Sequence, residues 1–345
     1  MSTQLGVSQM ENCLNTRHVR IIGSGMAVPA QEVSSAALDN RLGLRAGTSF
    51  KKTGVRRRFL STTETAAQLA ARACTQALQD AGLASDDIDC LVATSATMDQ
   101  ALPYNAALIH AELKLSGRRT TTFDIGASCM SFLTGLDTMS YLVECGRYKN
   151  VMLVSSDIAT FGLDWSNLTE CGIFGDGAAA VVIRRSLPTE SSRILSSRSV
   201  TISAGVEHCR IPAGGSRYHP RRMLASIDPL SVFQMEGRLA FKLIAAEMSD
   251  FVEGLLETAD VDMKQIKKIV PHQASQLAIH HLTKRLDVSS EKVMNIFADY
   301  GNQVGASLPT ALHLCRTGQQ VQRGDSMMLI GSGAGLTLGG MVLVY

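Results

Sequence analysis

Two stretches far apart in the chain follow one plan, and no other feature constrains the fold as strongly. From Thr65 to Ala93 an alanine-rich helical pattern runs into the acidic linker Ala81-Gly-Leu-Ala-Ser-Asp-Asp-Ile-Asp89 and then the strand-like Cys90-Leu-Val-Ala93. From Leu239 to Val270 a second helical pattern runs into Ala259-Asp-Val-Asp-Met-Lys-Gln-Ile-Lys-Lys268 and then Ile269-Val270. Each is followed by a further matching unit. Phe123 opens a short strand, a turn of small residues, a helix and the strand Val151-Met-Leu-Val154; Phe297 opens a turn of small residues, a helix around Leu308 to Arg316 and the strand Met327-Met-Leu-Ile330. The pattern reads as a duplicated α/β unit, with a polar extension at 1–17, a first half over 18–190 and a second half over 191–345. The strands are short, apolar and unalternating, as required when helices cover both faces of a sheet.

Composition narrows what such a fold does. Hydrophobic residues make up 45% and charged residues 19%, which supplies a large core and excludes a disordered chain. The net charge of +2 gives no global reason for nucleic-acid or membrane binding, so a basic partner site has to be local. The eight cysteines form no Cys-x-x-Cys pair and no tight Cys/His cluster, which predicts reduced thiols rather than a disulfide framework or a zinc site. No run of eighteen apolar residues and no signal-peptide pattern is present, and the expectation is a cytoplasmic protein.

The duplication also places chemistry. Cys129 lies in Phe123-Asp-Ile-Gly-Ala-Ser-Cys-Met-Ser-Phe132, where a strand ends, turns through small residues and opens a helix marked by Phe132, Leu136, Met139 and Val143. Partial positive charge at a helix N-terminus favours a thiolate, and the small residues leave room for a carbonyl to approach. A free cysteine is more often a small buried hydrophobe, so this window needs company. His272, in Val270-Pro-His-Gln-Ala-Ser275, stands just past a strand end in the second half. Asn302, in Tyr300-Gly-Asn-Gln-Val-Gly-Ala-Ser-Leu-Pro309, falls nearly at the repeat position of Cys129. A pseudo-twofold axis relating the halves would bring all three together. Residues 205–229 hold three of the eight prolines and do not fit the repeat; they read as a surface excursion where substrate is met. The Gly23-Ser-Gly25 pair lacks the third glycine of a dinucleotide fingerprint and reads as a turn.

Five ordered motifs now support a comparison: Asp124 to Phe132, Phe174-Gly-Asp-Gly-Ala-Ala179, Pro271-His-Gln-Ala274, Gly301-Asn302 with Ala306-Ser-Leu-Pro309, and Gly331-Ser-Gly-Ala-Gly335. In order and spacing, from about residue 18 to 345, the chain resembles the β-ketoacyl-acyl-carrier-protein synthase III enzymes of the thiolase superfamily. The resemblance implies a five-layered αβαβα architecture, a homodimer and a Cys-His-Asn triad at Cys129, His272 and Asn302. It also implies an oxyanion hole from the backbone N–H groups of Cys129 and Ala334. The implied substrates are an acyl-CoA and malonyl-CoA or a malonyl-acyl carrier protein, joined by decarboxylative condensation with no metal or bound redox cofactor.

Several positions bear on the substrates. Lys51-Lys-Thr-Gly-Val-Arg-Arg-Arg58 is the densest basic run, and the resemblance makes Lys52 and Arg56 candidates for meeting the phosphates of CoA or phosphopantetheine. Arg217, Arg221 and Arg222 form a second basic group. Relative to typical members, Ser275 replaces an asparagine, Leu277 an arginine, and Leu102 an aromatic that reaches across the dimer and limits the acyl pocket. The tryptophan that stacks on the CoA adenine is missing near Thr48 to Phe50. These changes leave a longer or unusual acyl donor as open as acetyl-CoA. Leu102 also stands where head-to-head condensing relatives carry a glutamate base, so malonyl decarboxylation is preferred over removal of an unactivated α-proton. Acyl transfer to an alcohol or amine, non-decarboxylative condensation, and a non-catalytic subunit of a heterodimeric synthase are the alternatives.

Overall fold

The computed structural model describes residues 16–115, 120–222 and 226–345. The first half builds a five-stranded sheet from β1 (Val19–Ala27), β2 (Cys90–Ala93), β3 (Thr121–Asp124), β4 (Asn150–Asp157) and β5 (Gly177–Arg185), in the order β1-β5-β4-β2-β3. The second half builds a four-stranded sheet from β6 (Arg193–Thr201), β7 (Ile266–Pro271), β8 (Ser326–Gly333) and β9 (Thr337–Val344), in the order β6-β9-β8-β7. Both sheets mix directions identically: the strand pairs β4–β2 and β8–β7 are parallel, while β1–β5, β5–β4, β6–β9 and β9–β8 are antiparallel. The counterpart of β3 in the second sheet shrinks to one parallel bridge between Ile269 and Val293. Parallel neighbours need crossovers, and helices supply them in both halves.

Those helices form three of the five layers. α1 (Ala66–Ala81) and α2 (Asn105–Glu112) pack on the outer face of the first sheet, and α4 (Gly237–Ala259) and α5 (Gln276–Arg285) on the outer face of the second. Between the sheets lie α3 (Ser131–Glu144) and α6 (Ser307–Thr317), whose apolar residues share one core with strands of both halves. Phe132, Leu136, Met139 and Val143, spaced as the sequence pattern required, are all buried there. Burial of each contributes about 1.5–3 kcal/mol relative to exposure. Local signals set the ends of α1: Thr65 and Gln68 form a capping box, and Gly82 closes it in the left-handed conformation.

Two readings of the sequence shift here. Arg17 was assigned to the extension, but it is buried: its Nε donates to Ser140 Oγ at 3.0 Å, and its guanidinium pairs with Asp137. Its backbone also bridges Ile194 in β6, so the start of the first half is tied to the second. Residues 1–15 of the proposed extension lie outside the described residues. Among the described residues, no helix is long and apolar enough to cross a membrane.

The second shift concerns the repeat position of Cys129. Ser128 and Val304 both sit at positive φ, +52° and +53°. The Ala127 N–H donates to Ser131 Oγ and the Gln303 N–H to Ser307 Oγ, each at 2.8 Å. By local geometry the counterpart of Cys129 is therefore Gly305, and Asn302 lies three residues earlier. It reaches the centre from the approach to the turn, not from the turn itself.

Candidate active site

The ends of β4, β7 and β8 and the N-termini of α3 and α6 meet at the middle of the molecule. A cavity of about 1500 Å³ opens there, and Cys129, His272, Asn302 and Ala334 all line it. Cys129 stands in the single turn Ser128–Met130 that leads into α3. Two glycines of β8 let this turn come close. A Cβ on Gly333 would stand 3.2 Å from the Cys129 nitrogen, and one on Gly331 would stand 2.5 Å from His272 Cβ.

The Ala334 backbone beside the Cys129 thiol acts to lower its pKa and so favours the thiolate. Burial acts more strongly in the other direction and pushes the thiol up to about 12, with Asp157 adding to the rise. Burial thus favours the neutral thiol of Cys129 over the thiolate that the helix terminus alone would favour. Desolvation costs an isolated anion more than one turn of helix dipole returns.

His272 follows Pro271 at the end of β7, with its N–H on the Ile330 carbonyl at 2.8 Å. Burial alone brings its imidazole down to about 4, and Nδ1 has no hydrogen-bond partner. The ring is neutral at physiological pH and can present Nε2–H as a donor. Because folding disfavours its protonation, the stability it contributes is full above the unfolded value near 6.5 and is lost as pH falls toward 4. Asp157, pushed up to about 6 by burial, acts in the opposite sense over part of that range. In an NMR titration the His272 ring, assigned by its loss in His272→Ala, should remain neutral down to about pH 5. A midpoint near 6.5 would contradict the burial argument.

Asn302 is oriented on both sides of its amide. Its Oδ1 accepts from the Val304 N–H at 2.8 Å, and one Nδ2 hydrogen goes to the Ala274 carbonyl at 3.3 Å. The other Nδ2 hydrogen is left for a ligand. Neutral donors from His272 and Asn302, on the same cavity as a thiol, suit stabilisation of a developing oxyanion.

Other sequence candidates divide. Lys52, Ser275 and Leu277 line the same cavity, as do Cys209, Arg210 and Ile211 from the 205–229 excursion. Arg56 does not; its guanidinium grips the Asp299 carboxylate at 2.6 and 2.7 Å, so its charge is already matched. Leu102 is 83% exposed and stands outside the cavity of its own chain. Arg217 pairs with Glu207, and Arg221 and Arg222 sit in an exposed turn away from the cavity. Sequence reading missed Arg238, His280, His281 and Arg285, which line the cavity from α4 and α5. It also missed Asp157, a fully buried acid that accepts from the Ala96, Thr97 and Ala306 N–H groups. A charged residue ending an otherwise buried strand was the available signal.

Many known proteins resemble this chain in sequence and fold. The C-terminal profile of 3-oxoacyl-[acyl-carrier-protein (ACP)] synthase III matches residues 256–345, and the companion 3-oxoacyl-[ACP] synthase III profile matches residues 123–202. Beta-ketoacyl-[acyl-carrier-protein] synthase III of Aquifex aeolicus is 31% identical over 326 residues, covering 94% of this chain and 99% of the relative. The chain belongs to the 3-oxoacyl-[acyl-carrier-protein] synthase III family. The enzyme of the same name from Clostridioides difficile is 30% identical, over 96% of this chain and 99% of its own. Among solved synthase III structures, that from Aquifex aeolicus superposes with a TM-score of 0.84 at 30% identity, over 95% of this chain and 100% of that one. The Pseudomonas aeruginosa structure gives 0.85 at 29%, over 95% and 98%. Xanthomonas campestris OleA, at 22% identity and a TM-score of 0.82 over 95% of this chain and 99% of that one, shares the fold. The five-layered architecture is therefore that of the thiolase fold, and a synthase III enzyme is an acyltransferase of fatty-acid biosynthesis.

Proposed function

We propose that the protein joins an acyl-CoA to a malonyl thioester by decarboxylative Claisen condensation through an acyl-Cys129 intermediate. One observation carries the reading: Cys129, His272, Asn302 and Ala334 line a single cavity. In the first half-reaction Cys129 sulfur attacks the acyl thioester, the N–H groups of Cys129 and Ala334 hold the tetrahedral oxyanion, and CoA leaves as the thiol carrying the Cys129 proton. In the second, the malonyl C–C bond breaks, carbon dioxide departs, and the enolate oxygen rests on His272 Nε2–H and Asn302 Nδ2–H. The carbanion attacks the acyl carbonyl, the C–S bond breaks, and Cys129 leaves as a thiolate that takes up a proton from solvent to restore the thiol. The neutral form of His272 fits this step, since it donates without adding a charge that would have to be neutralised later.

The chemistry is complete with these groups and thioester substrates, and calls for no resident cofactor. Lys51, Lys52, Arg238 and Arg285 along the cavity suit the phosphates of CoA or of a carrier protein's phosphopantetheine, whether the malonyl group arrives as malonyl-CoA or malonyl-acyl carrier protein. A homodimer is supported by β3, an edge strand beside the loop that exposes Met98 and Leu102; Tyr104 in that loop bonds Thr122 at 2.9 Å.

Intact-protein mass spectrometry with a panel of acyl-CoAs tests the reading. The expected result is an acyl adduct on Cys129, discharged on addition of a malonyl thioester with release of carbon dioxide. Discharge by an alcohol or amine instead, or without carbon dioxide, would move the assignment to acyl transfer or to non-decarboxylative condensation. No adduct from any donor would favour a non-catalytic subunit.

A further inference from the structure

Arg58 is fully buried, although it belongs to the most basic run of the sequence. It enters the interior from the short strand Arg57–Leu60, and its Nη1 donates to the carbonyls of Gly172 and Phe174. Among the described residues its Nε and Nη2 have no partner and no carboxylate pairs with it; the charge neighbour that acts on it is the buried Cys171 thiol. Burial brings the guanidinium down to about 10, so it stays charged at neutral pH. A buried charge without a counter-ion is costly, and an apolar residue of similar volume is often neutral or stabilising in its place. Packing alone gives no reason for arginine here.

The carbonyls that Arg58 grips give one. The carbonyls on either side of Ile173, those of Gly172 and Phe174, go to Arg58, which leaves the Ile173 carbonyl for another partner. The Ile173 carbonyl accepts from the Asn302 N–H at 2.8 Å, and the Gly175 N–H donates to the Asn302 carbonyl at 3.1 Å. Phe174 and Asn302 form a parallel bridge. Residues 172–175 are thus held by Arg58 and in turn hold the backbone of Asn302.

We propose that Arg58 is a positioning residue for Asn302, clamping the 172–175 segment so that the Asn302 side-chain amide meets the enolate oxygen. This rests on the condensing reading above. It predicts an effect confined to the malonyl step, because Cys129 and Ala334 lie outside the clamp.

The test compares wild type with Arg58→Met and Arg58→Lys in three measurements. Acylation of Cys129 should stay within about twofold, while decarboxylation of a malonyl thioester falls about tenfold or more in Arg58→Met and less in Arg58→Lys. In an Asn302→Ala background Arg58→Met should add no further loss, since both changes act on one group. Independently of turnover, the Asn302 side-chain amide resonance of protein labelled with [15N]asparagine should shift in Arg58→Met. Equal losses in both half-reactions, an additive loss, or an unmoved amide resonance would overturn the proposal. If Arg58→Met does not fold, Arg58→Lys is read by the same criteria. A wild-type protein that acylates but never decarboxylates would sink the condensing reading instead, and the amide resonance would still decide the role of Arg58.

Discussion

Replacing Cys129 with alanine should abolish the acyl adduct and lower condensation by about 10³-fold or more, because the proposed covalent intermediate forms on its sulfur. The variant should nevertheless keep most of its ability to decarboxylate a malonyl thioester. His272 and Asn302 do not depend on the sulfur for their positions: His272 is fixed by the Ile330 carbonyl, and Asn302 by Ile173, Gly175, Val304 and Ala274. Assay of released carbon dioxide beside 3-oxoacyl product separates the two activities. Retention of condensation in Cys129→Ala would remove the nucleophile from the mechanism altogether. Stability should change little, since the substitution deletes one sulfur at the wall of a large cavity.

Asn302→Ala should give the reverse pattern. Its amide is the only group besides His272 that we assign to the enolate, and loss of one oxyanion donor costs about 10²–10³ in kcat. Acylation of Cys129, which uses the N–H groups of Cys129 and Ala334, should stay within about twofold of wild type. The discriminating measurement is single-turnover discharge of pre-formed acyl enzyme by the malonyl thioester, compared with the rate of adduct formation. Equal impairment of both would mean that Asn302 supports the cavity as a whole rather than the second half-reaction. The substitution also removes the acceptor for the Val304 N–H, so a fall in melting temperature is expected alongside the kinetic effect.

Much of this site was legible in the residues. Cys129, His272 and Asn302 each announce themselves by chemistry placed at a strand end or helix start, and the repeat supplied a reason for them to converge. The repeat was misread by three residues at Asn302 because its evidence lies in backbone geometry: the positive φ of Ser128 and Val304 and the paired bonds to Ser131 and Ser307 identify the equivalent turns, and serine at both places is unremarkable as sequence. Basic residues were the least readable. Lys52, Arg56 and Arg58 lie within seven positions of one another in a single charged run, yet one lines the cavity, one pairs with Asp299 on the surface, and one is buried behind the wall that holds Asn302.

The sequence by itself determined the α/β plan, the repeated pattern and the residue types of the candidate site, because periodicity, turn chemistry and reactive groups are local properties that survive without coordinates. Only the tertiary structure decided which charges are free, which are matched and which are buried. It also decided that burial favours the neutral thiol of Cys129 and the neutral ring of His272, since desolvation depends on everything packed around a group and not on its neighbours in the chain.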